Sequence, residues 1–152
     1  MTHPPRGGPP EKISFEVPIY TYQIDFARHV SNIVFVQWME VGRIKLLEAV
    51  GLPVHEIYAT GLAPILIETQ IAYKQPLYLG DTVRVEVWLS ELGNASAWIE
   101  FRFYGSSGAL AASGRQKGAF VSTETLRPMR LGPEQRQAFE RFLDSGASRD
   151  QG

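Results

Sequence analysis

Residues 13–17 alternate apolar and polar side chains, with Ile13, Phe15 and Val17 opposed by Ser14 and Glu16. A two-residue period predicts a half-buried strand, here continuing to about residue 24. Pro18 lacks the N–H that an inner strand donates, so an edge position or a bulge is expected. Over residues 32–50 the pattern changes. Phe35, Met39 and Leu46 lie on one side of a helix, and Val36, Ile44 and Leu47 extend the apolar surface around its axis. Gly51 and Pro53 then act as stop signals, which predicts a long helix needing cover over much of its circumference.

Past a linker at residues 53–61, four more strands are expected, at residues 63–77, 82–89, 95–104 and 109–121. Gly80-Asp81, Gly93-Asn94 and Ser106-Ser107-Gly108 mark the turns between them. Val83, Val85, Val87 and Leu89 form one face of the second of these strands, against Arg84, Glu86 and Trp88. Tight turns between the last three strands imply an antiparallel meander. Gly132-Pro133 starts a short terminal helix at residues 133–143, carrying Phe139, Phe142 and Leu143. The order strand, helix, four strands gives an α+β architecture in which the sheet wraps around the apolar helix. Trp88, Trp98 and Tyr104 fall on the other face of the sheet, where partial exposure suggests a dimer or larger assembly.

The chain has 152 residues, 44% of them apolar and 20% charged, which fits one globular domain. A formal net charge of −1 supplies no attraction for a phosphate backbone, so no nucleic-acid partner is expected. With no cysteine in the chain, thiol catalysis, disulfides and cysteine-ligated metals are excluded. The count is compatible with a reducing compartment, and the expected location is the cytoplasm. The first residues, Met-Thr-His-Pro-Pro-Arg-Gly-Gly-Pro-Pro, lack the apolar run of a signal peptide and read as a flexible tail. No stretch approaches the roughly 20 apolar residues of a membrane span. His3 and His55 have no ligand cluster around them, so no metal site is expected.

Tyr22 to Asn32 stands where strand changes to helix, and it brings together a carboxylate (Asp25), a guanidinium (Arg28), an imidazole (His29) and an amide (Asn32). Ser31 and Asn32 are plausible helix caps. A carbonyl lying beside the first helical turn would find backbone N–H groups at Asn32 and Ile33 able to stabilise a developing oxyanion. Asp25 is then placed to activate water or to attack the carbonyl itself. The same residue types also serve as caps, turn formers and surface groups.

The run Asp25-Phe26-Ala27-Arg28-His29-Val30-Ser31-Asn32, followed by Val34-Phe35-Val36-Gln37-Trp38-Met39-Glu40-Val41-Gly42-Arg43, resembles the signature of the hotdog thioesterase superfamily. Within it, the nearest resemblance is to the group of hydroxybenzoyl-CoA thioesterases and bacterial short- and medium-chain acyl-CoA thioesterases. Leu79-Gly80-Asp81-Thr82 also looks like the family's turn. The resemblance implies a hotdog fold, an antiparallel five-stranded sheet wrapped around a long central helix. The domain would span residues 13–144, with flexible tails at 1–12 and 145–152. It further implies hydrolysis of an acyl-CoA thioester to a carboxylate and coenzyme A, without a cofactor, by a homodimer or homotetramer.

Matched position by position, Asp25 is the base or nucleophile, and His29 and Asn32 orient the thioester or the water. Ser31 stands where many relatives have asparagine, and Arg28 replaces a frequent glycine. Glu40 lies eight residues past Asn32, about 12 Å along an ideal helix, and pairing with Arg43 is its simpler use, with an auxiliary chemical role as the alternative. Arg115, Lys117, Arg127 and Arg130 are the cations available for coenzyme A phosphates, or else members of a solvated face and a basic terminus. The alternatives to hydrolysis of acyl-CoA are an acyl-carrier-protein thioesterase and a non-catalytic acyl-thioester binder. A dehydratase fits the motif less closely.

Overall fold

The structure is a computed structural model that describes residues 10–146. Strand β1 (Ile13–Pro18) ends at the proline, short of residue 24, because a single 3-10 turn at Thr21–Gln23 redirects the chain. Helix α1 (Asn32–Ala49) follows, closed by Gly51 at φ +82°. The expected linker holds a one-turn helix, α2 (Val54–Ile57), and a 3-10 turn at Tyr58–Thr60. Strands β2 (Leu62–Tyr73), β3 (Thr82–Leu92), β4 (Ser96–Tyr104) and β5 (Leu110–Ser122) precede helix α3 (Pro133–Glu140). β2 stops at Tyr73, where the N–H groups of Lys74 and Gln75 both turn onto the carbonyl of Ala111.

The five strands form one sheet in the order β1-β3-β4-β5-β2, with every neighbouring pair antiparallel. Pro18 is therefore on an edge strand, as its missing N–H requires. α1 packs on one face of this sheet. Val83, Val85, Val87 and Leu89 are fully buried there, the face their alternation predicts, together with Phe101 and Phe103. Gly42 allows the close approach: a Cβ at that position would lie 2.8 Å from Val87 Cγ2 and 3.0 Å from Phe101 Cε1. The other side of α1 leaves Ile33, Val36 and Val41 exposed, so one chain covers only part of the helix.

On the opposite sheet face Trp98 and Tyr104 are partly exposed, as expected, and Trp88 is the exception. Trp88 is only 4% exposed, because Lys12 Nζ sits 4.4 Å and Arg102 Cζ 5.1 Å from its ring centroid. Arg84 covers Tyr104 and Arg115 covers Trp98 in the same way. Cations shield these rings, and exposed apolar side chains lie elsewhere, on α1 and at Ile65, Leu66 and Ile67 of β2.

Glu11 and Lys12, assigned to a tail by the sequence, both contact the domain. Glu11 donates its N–H to the Arg141 carbonyl and accepts from the Arg141 guanidinium at 2.8 Å, which holds its carboxyl below the usual range. The tails at residues 1–9 and 147–152, with His3, lie outside the described residues. Past α3, the carbonyl of Phe142 and the N–H of Asp144 both bond to Leu89, so the chain lies along β3 beyond the end of β1. No described helix is long and apolar enough to cross a membrane.

Candidate active site

Asp25 immediately precedes a three-residue hairpin loop, Phe26, Ala27 and Arg28. Ile24 and Val30 form an antiparallel bridge, the Asp25 N–H donates to the His29 carbonyl at 3.0 Å, and the Arg28 N–H donates to the Asp25 carbonyl at 3.0 Å. Asp25 Oδ1 accepts from the Ala27 N–H at 2.9 Å, the side-chain turn that aspartate favours at the start of such a loop. Arg28 takes φ +69°, the left-handed position that a loop of this kind reserves for glycine. Phe26, at the tip, is fully exposed.

The sequence places Asp25 among turn formers or catalysts, and the structure shows the first role directly. The other carboxylate oxygen has no hydrogen-bond donor among the described residues, and Asp25 is half-buried. An oxygen in that position can take a proton from water or attack a carbonyl carbon.

The Val30 N–H donates to the Leu77 carbonyl at 2.8 Å and the Ser31 N–H to the Gln23 carbonyl at 2.9 Å, which ties the loop to the start of α1. Ser31 is the N-cap residue, its Oγ accepting from the Ile33 N–H at 3.3 Å. Of the two candidate oxyanion donors, Ile33 therefore already carries a long bond to the cap. The Asn32 N–H has no acceptor among the described residues. The Asn32 side chain is exposed. His29 is half-buried, edge-on to the Tyr78 ring at 6.4 Å, with Nδ1 3.5 Å from the Val30 carbonyl oxygen.

Tyr73 is a neighbour that the sequence did not indicate. Its hydroxyl donates to the Asn32 carbonyl at 3.2 Å, and burial pushes its phenol above the usual range. The two residues are 41 positions apart, and only the packing of β2 beside α1 brings them together.

Glu40 stands two turns further along α1, exposed, with Oε1 3.8 Å from Arg43 Nη2, the i,i+3 pairing its spacing suggests. Arg43 also donates to Gln116 Oε1 at 2.6 Å, and Gln116 donates to Thr69 Oγ1 at 3.1 Å. Gln116 is fully buried, so this chain of polar groups runs from solvent to the sheet. Burial lowers the Arg43 pKa, against the opposing charge of Glu40.

Next to Glu40 and Arg43, the second half of α1 and the sheet enclose a cavity of about 220 Å³. It does not reach the Asp25 loop. Phe35 packs edge to face against Trp38, Tyr73 and Phe103 in the first half of the helix–sheet layer, with Trp38 tilted against Phe103.

Within one chain the four candidate phosphate-binding cations do not gather at Asp25. Arg115 and Lys117 alternate with core-facing Gln116 and so lie on the opposite face of the sheet. Arg115 is engaged there, its Nε 3.2 Å from Glu100 Oε2 and its guanidinium stacked 4.0 Å from the Trp98 centroid. Arg127 and Arg130 are exposed in the segment after β5, beside the start of β2, where the Thr123 N–H bonds to the Gly61 carbonyl. That is the end of β2 remote from Tyr73 and Asn32. Among the described residues no group of three or more His, Cys, Asp or Glu side chains could hold a metal ion.

Comparison with known proteins gives this geometry a family. YneP of Bacillus subtilis (strain 168), named as a proposed acyl-CoA thioesterase, is 25% identical over 111 residues, covering 73% of this chain and 78% of that protein. The chloroplastic acyl-acyl carrier protein thioesterase ATL3 of Arabidopsis thaliana is 26% identical over 131 residues, covering 84% of this chain and 67% of that one. The crystal structure of a DHNA-CoA thioesterase from Staphylococcus aureus superposes with a TM-score of 0.79 at 17% identity, over 86% of this chain and 89% of that chain. The architecture is thus shared with solved thioesterases, and the hotdog fold implied by the motif is the one found. The sequence profile of the thioesterase-like superfamily matches residues 19–139, from just after β1 to α3, and the chain belongs to that superfamily.

Proposed function

We propose that the protein hydrolyses acyl-CoA thioesters to a carboxylate and free coenzyme A, with Asp25 as the reacting carboxylate. The observation that carries this reading is the Asp25 loop. It leaves one carboxylate oxygen without a donor and is hydrogen-bonded to the capped start of α1. Acting as base, Asp25 takes a proton from water while the water oxygen attacks the thioester carbon. The oxyanion that forms is stabilised by the Asn32 N–H, and by the Ile33 N–H once the Ser31 hydroxyl gives way. Collapse breaks the C–S bond, and the proton passes to the leaving thiolate. Direct attack by Asp25 gives the same products through an anhydride that water then opens. His29 and the Asn32 side chain orient the thioester or the water, and Glu40 remains an auxiliary group through its pairing with Arg43.

A general base contributes roughly 10²- to 10⁴-fold. Asp25→Asn is therefore expected to lower acyl-CoA turnover by at least about a hundredfold while the circular dichroism spectrum and melting temperature stay close to the parent's. Thiol release from short, medium, long and aromatic acyl-CoAs measures it. A folded Asp25→Ala protein working near the parental rate would show that the chemistry lies elsewhere, and binding without turnover in the parent would favour the non-catalytic carrier. Acyl-carrier-protein thioesters belong in the same screen, since the likeness to ATL3 favours that second substrate.

The reading includes a homodimer, alone or within a tetramer. β2 is a sheet edge whose Ile65, Leu66 and Ile67 are exposed, and a long apolar edge of this kind invites pairing. Two-fold antiparallel pairing of β2 would set the Tyr73 end of one copy beside the Leu62 end of the other. Each Asp25 loop would then face the cavity, Arg127 and Arg130 of its partner, which supports those two cations as ligands for coenzyme A phosphates. The absence of cysteine suits a reducing compartment, and the reading places the protein in the cytoplasm.

A further inference from the structure

Close packing is the rule in protein interiors, and a void costs stability in proportion to its volume. The helix–sheet layer obeys that rule closely at Gly42 and Gly114 and departs from it at Gly118. A Cβ on Gly114 would lie 2.9 Å from Met39 Cε, and one on Gly42 would meet Val87 as closely. At Gly118 the nearest atoms to an added Cβ are Ile65 O at 3.6 Å and Ile99 Cδ1 at 3.9 Å. Gly118 lines the 220 Å³ cavity, with Ala95, Ser96, Ala97 and Ala119 beside it at the open end of the β4–β5 pair. A floor of small residues makes the hollow. Its walls are mainly aliphatic, including Leu46, Leu47, Leu92 and Leu131.

Polar groups enter the lining only as Ser96 and, on α1, the pair Glu40 and Arg43. Arg43 is held in place by the buried Gln116. The cavity is therefore polar on its Glu40–Arg43 side and greasy elsewhere, which suits an amphipathic ligand lying tail inward. A ring carrying hydroxyls would bury them largely without partners, and unpaired buried polar groups are costly. If a methylene takes about the volume of one liquid water, roughly 30 Å³, the hollow accommodates on the order of seven carbons.

We propose that this cavity holds the saturated aliphatic tail of a medium-length acyl group, and that Ala97 and Gly118 set the longest chain accepted. The inference rests on the thioester-hydrolase reading for the rest of the substrate. It selects an aliphatic acyl class over a hydroxylated aromatic one. Each methylene buried in the parent raises kcat/KM about fourfold, so the rate climbs with chain length until the hollow is full.

The test is the ratio of kcat/KM for octanoyl-CoA to that for butanoyl-CoA, measured in the parent, Gly118→Ala and Ala97→Leu. Gly118→Ala adds a methyl group in ordinary contact, so it keeps the fold and is expected to lower the ratio about fourfold, one methylene's worth. Ala97→Leu is expected to lower it at least tenfold. An unchanged ratio in the folded Gly118→Ala protein, or a parent that prefers hydroxybenzoyl-CoA to octanoyl-CoA, overturns the proposal. Calorimetric titration with sodium octanoate reads the cavity independently of turnover. If no thioester is hydrolysed but octanoate binds the parent and not Ala97→Leu, the hydrolase reading fails and the tail site stands. If octanoate does not bind the parent, the tail site fails whatever the enzyme hydrolyses.

Discussion

Arg28 shows how much one backbone angle contributes to the candidate site. At φ +69° it lies in the left-handed region, where a residue with a Cβ is disfavoured by roughly 1–2 kcal/mol. The bonds from the Asp25 N–H to the His29 carbonyl and from the Arg28 N–H to the Asp25 carbonyl hold it there. Arg28→Gly is expected to raise stability by up to about 1 kcal/mol, the relieved strain exceeding the added flexibility of the unfolded chain. Thermal and urea denaturation measure the gain, and a lower melting temperature would mean that the arginine side chain contributes more than its backbone costs. At this scale the sequence offered Asp25 both as a turn former and as a reacting group, and the turn-forming bond to the Ala27 N–H is the part that the structure displays. Tyr73 and Gln116 were not legible, since nothing local marks a tyrosine or glutamine in a strand as a partner for residues on a distant helix.

At the scale of elements, the seat of α1 on the sheet depends on missing side chains. Gly42 within the helix costs about 1 kcal/mol of helix propensity relative to alanine. Its Cβ, however, would lie 2.8 Å from Val87 Cγ2 and 3.0 Å from Phe101 Cε1, two side chains buried with nowhere to move. Gly42→Ala should therefore destabilise the protein by about 1–3 kcal/mol despite the better helix former. Chemical denaturation read as a shift in midpoint at constant slope checks this, and a stabilised variant would show that α1 can ride outward. Most element identities were readable from periodicity, with β3 the clearest case. Boundaries were less so: β1 ends at Pro18, before the 3-10 turn, and β2 ends at Tyr73, where Lys74 and Gln75 both turn onto the Ala111 carbonyl.

For the whole molecule, the decisive property is that one chain separates the loop and the cavity that the proposed reaction would unite. Its Asp25 loop lies at the first turn of α1, its cavity lies along the second half, and the aromatic cluster of Phe35, Trp38 and Phe103 fills the space between. Pairing through β2 would complete each site from two copies. Asp25→Asn and Ala97→Leu proteins, each impaired on octanoyl-CoA, should then restore activity when unfolded and refolded together. About a quarter of the parental sites would be whole, because roughly half of the dimers are mixed and each mixed dimer has one intact site. No gain over the separate variants would place loop and cavity in the same chain. Sedimentation of the parent as a dimer or tetramer is the companion measurement.

What the sequence determined by itself is therefore local: alternation that names strands, stop signals that bound a helix, and a polar segment with capping residues where strand gives way to helix. Those follow from backbone sterics and side-chain period, which act over a few residues. The tertiary structure alone decided that cations cover Trp88, that Arg115 stacks away from the site, and that small residues on β4 and β5 leave a hollow beneath α1. Each depends on strand register and on which face a side chain takes once distant segments pack, so no short stretch of the sequence records it.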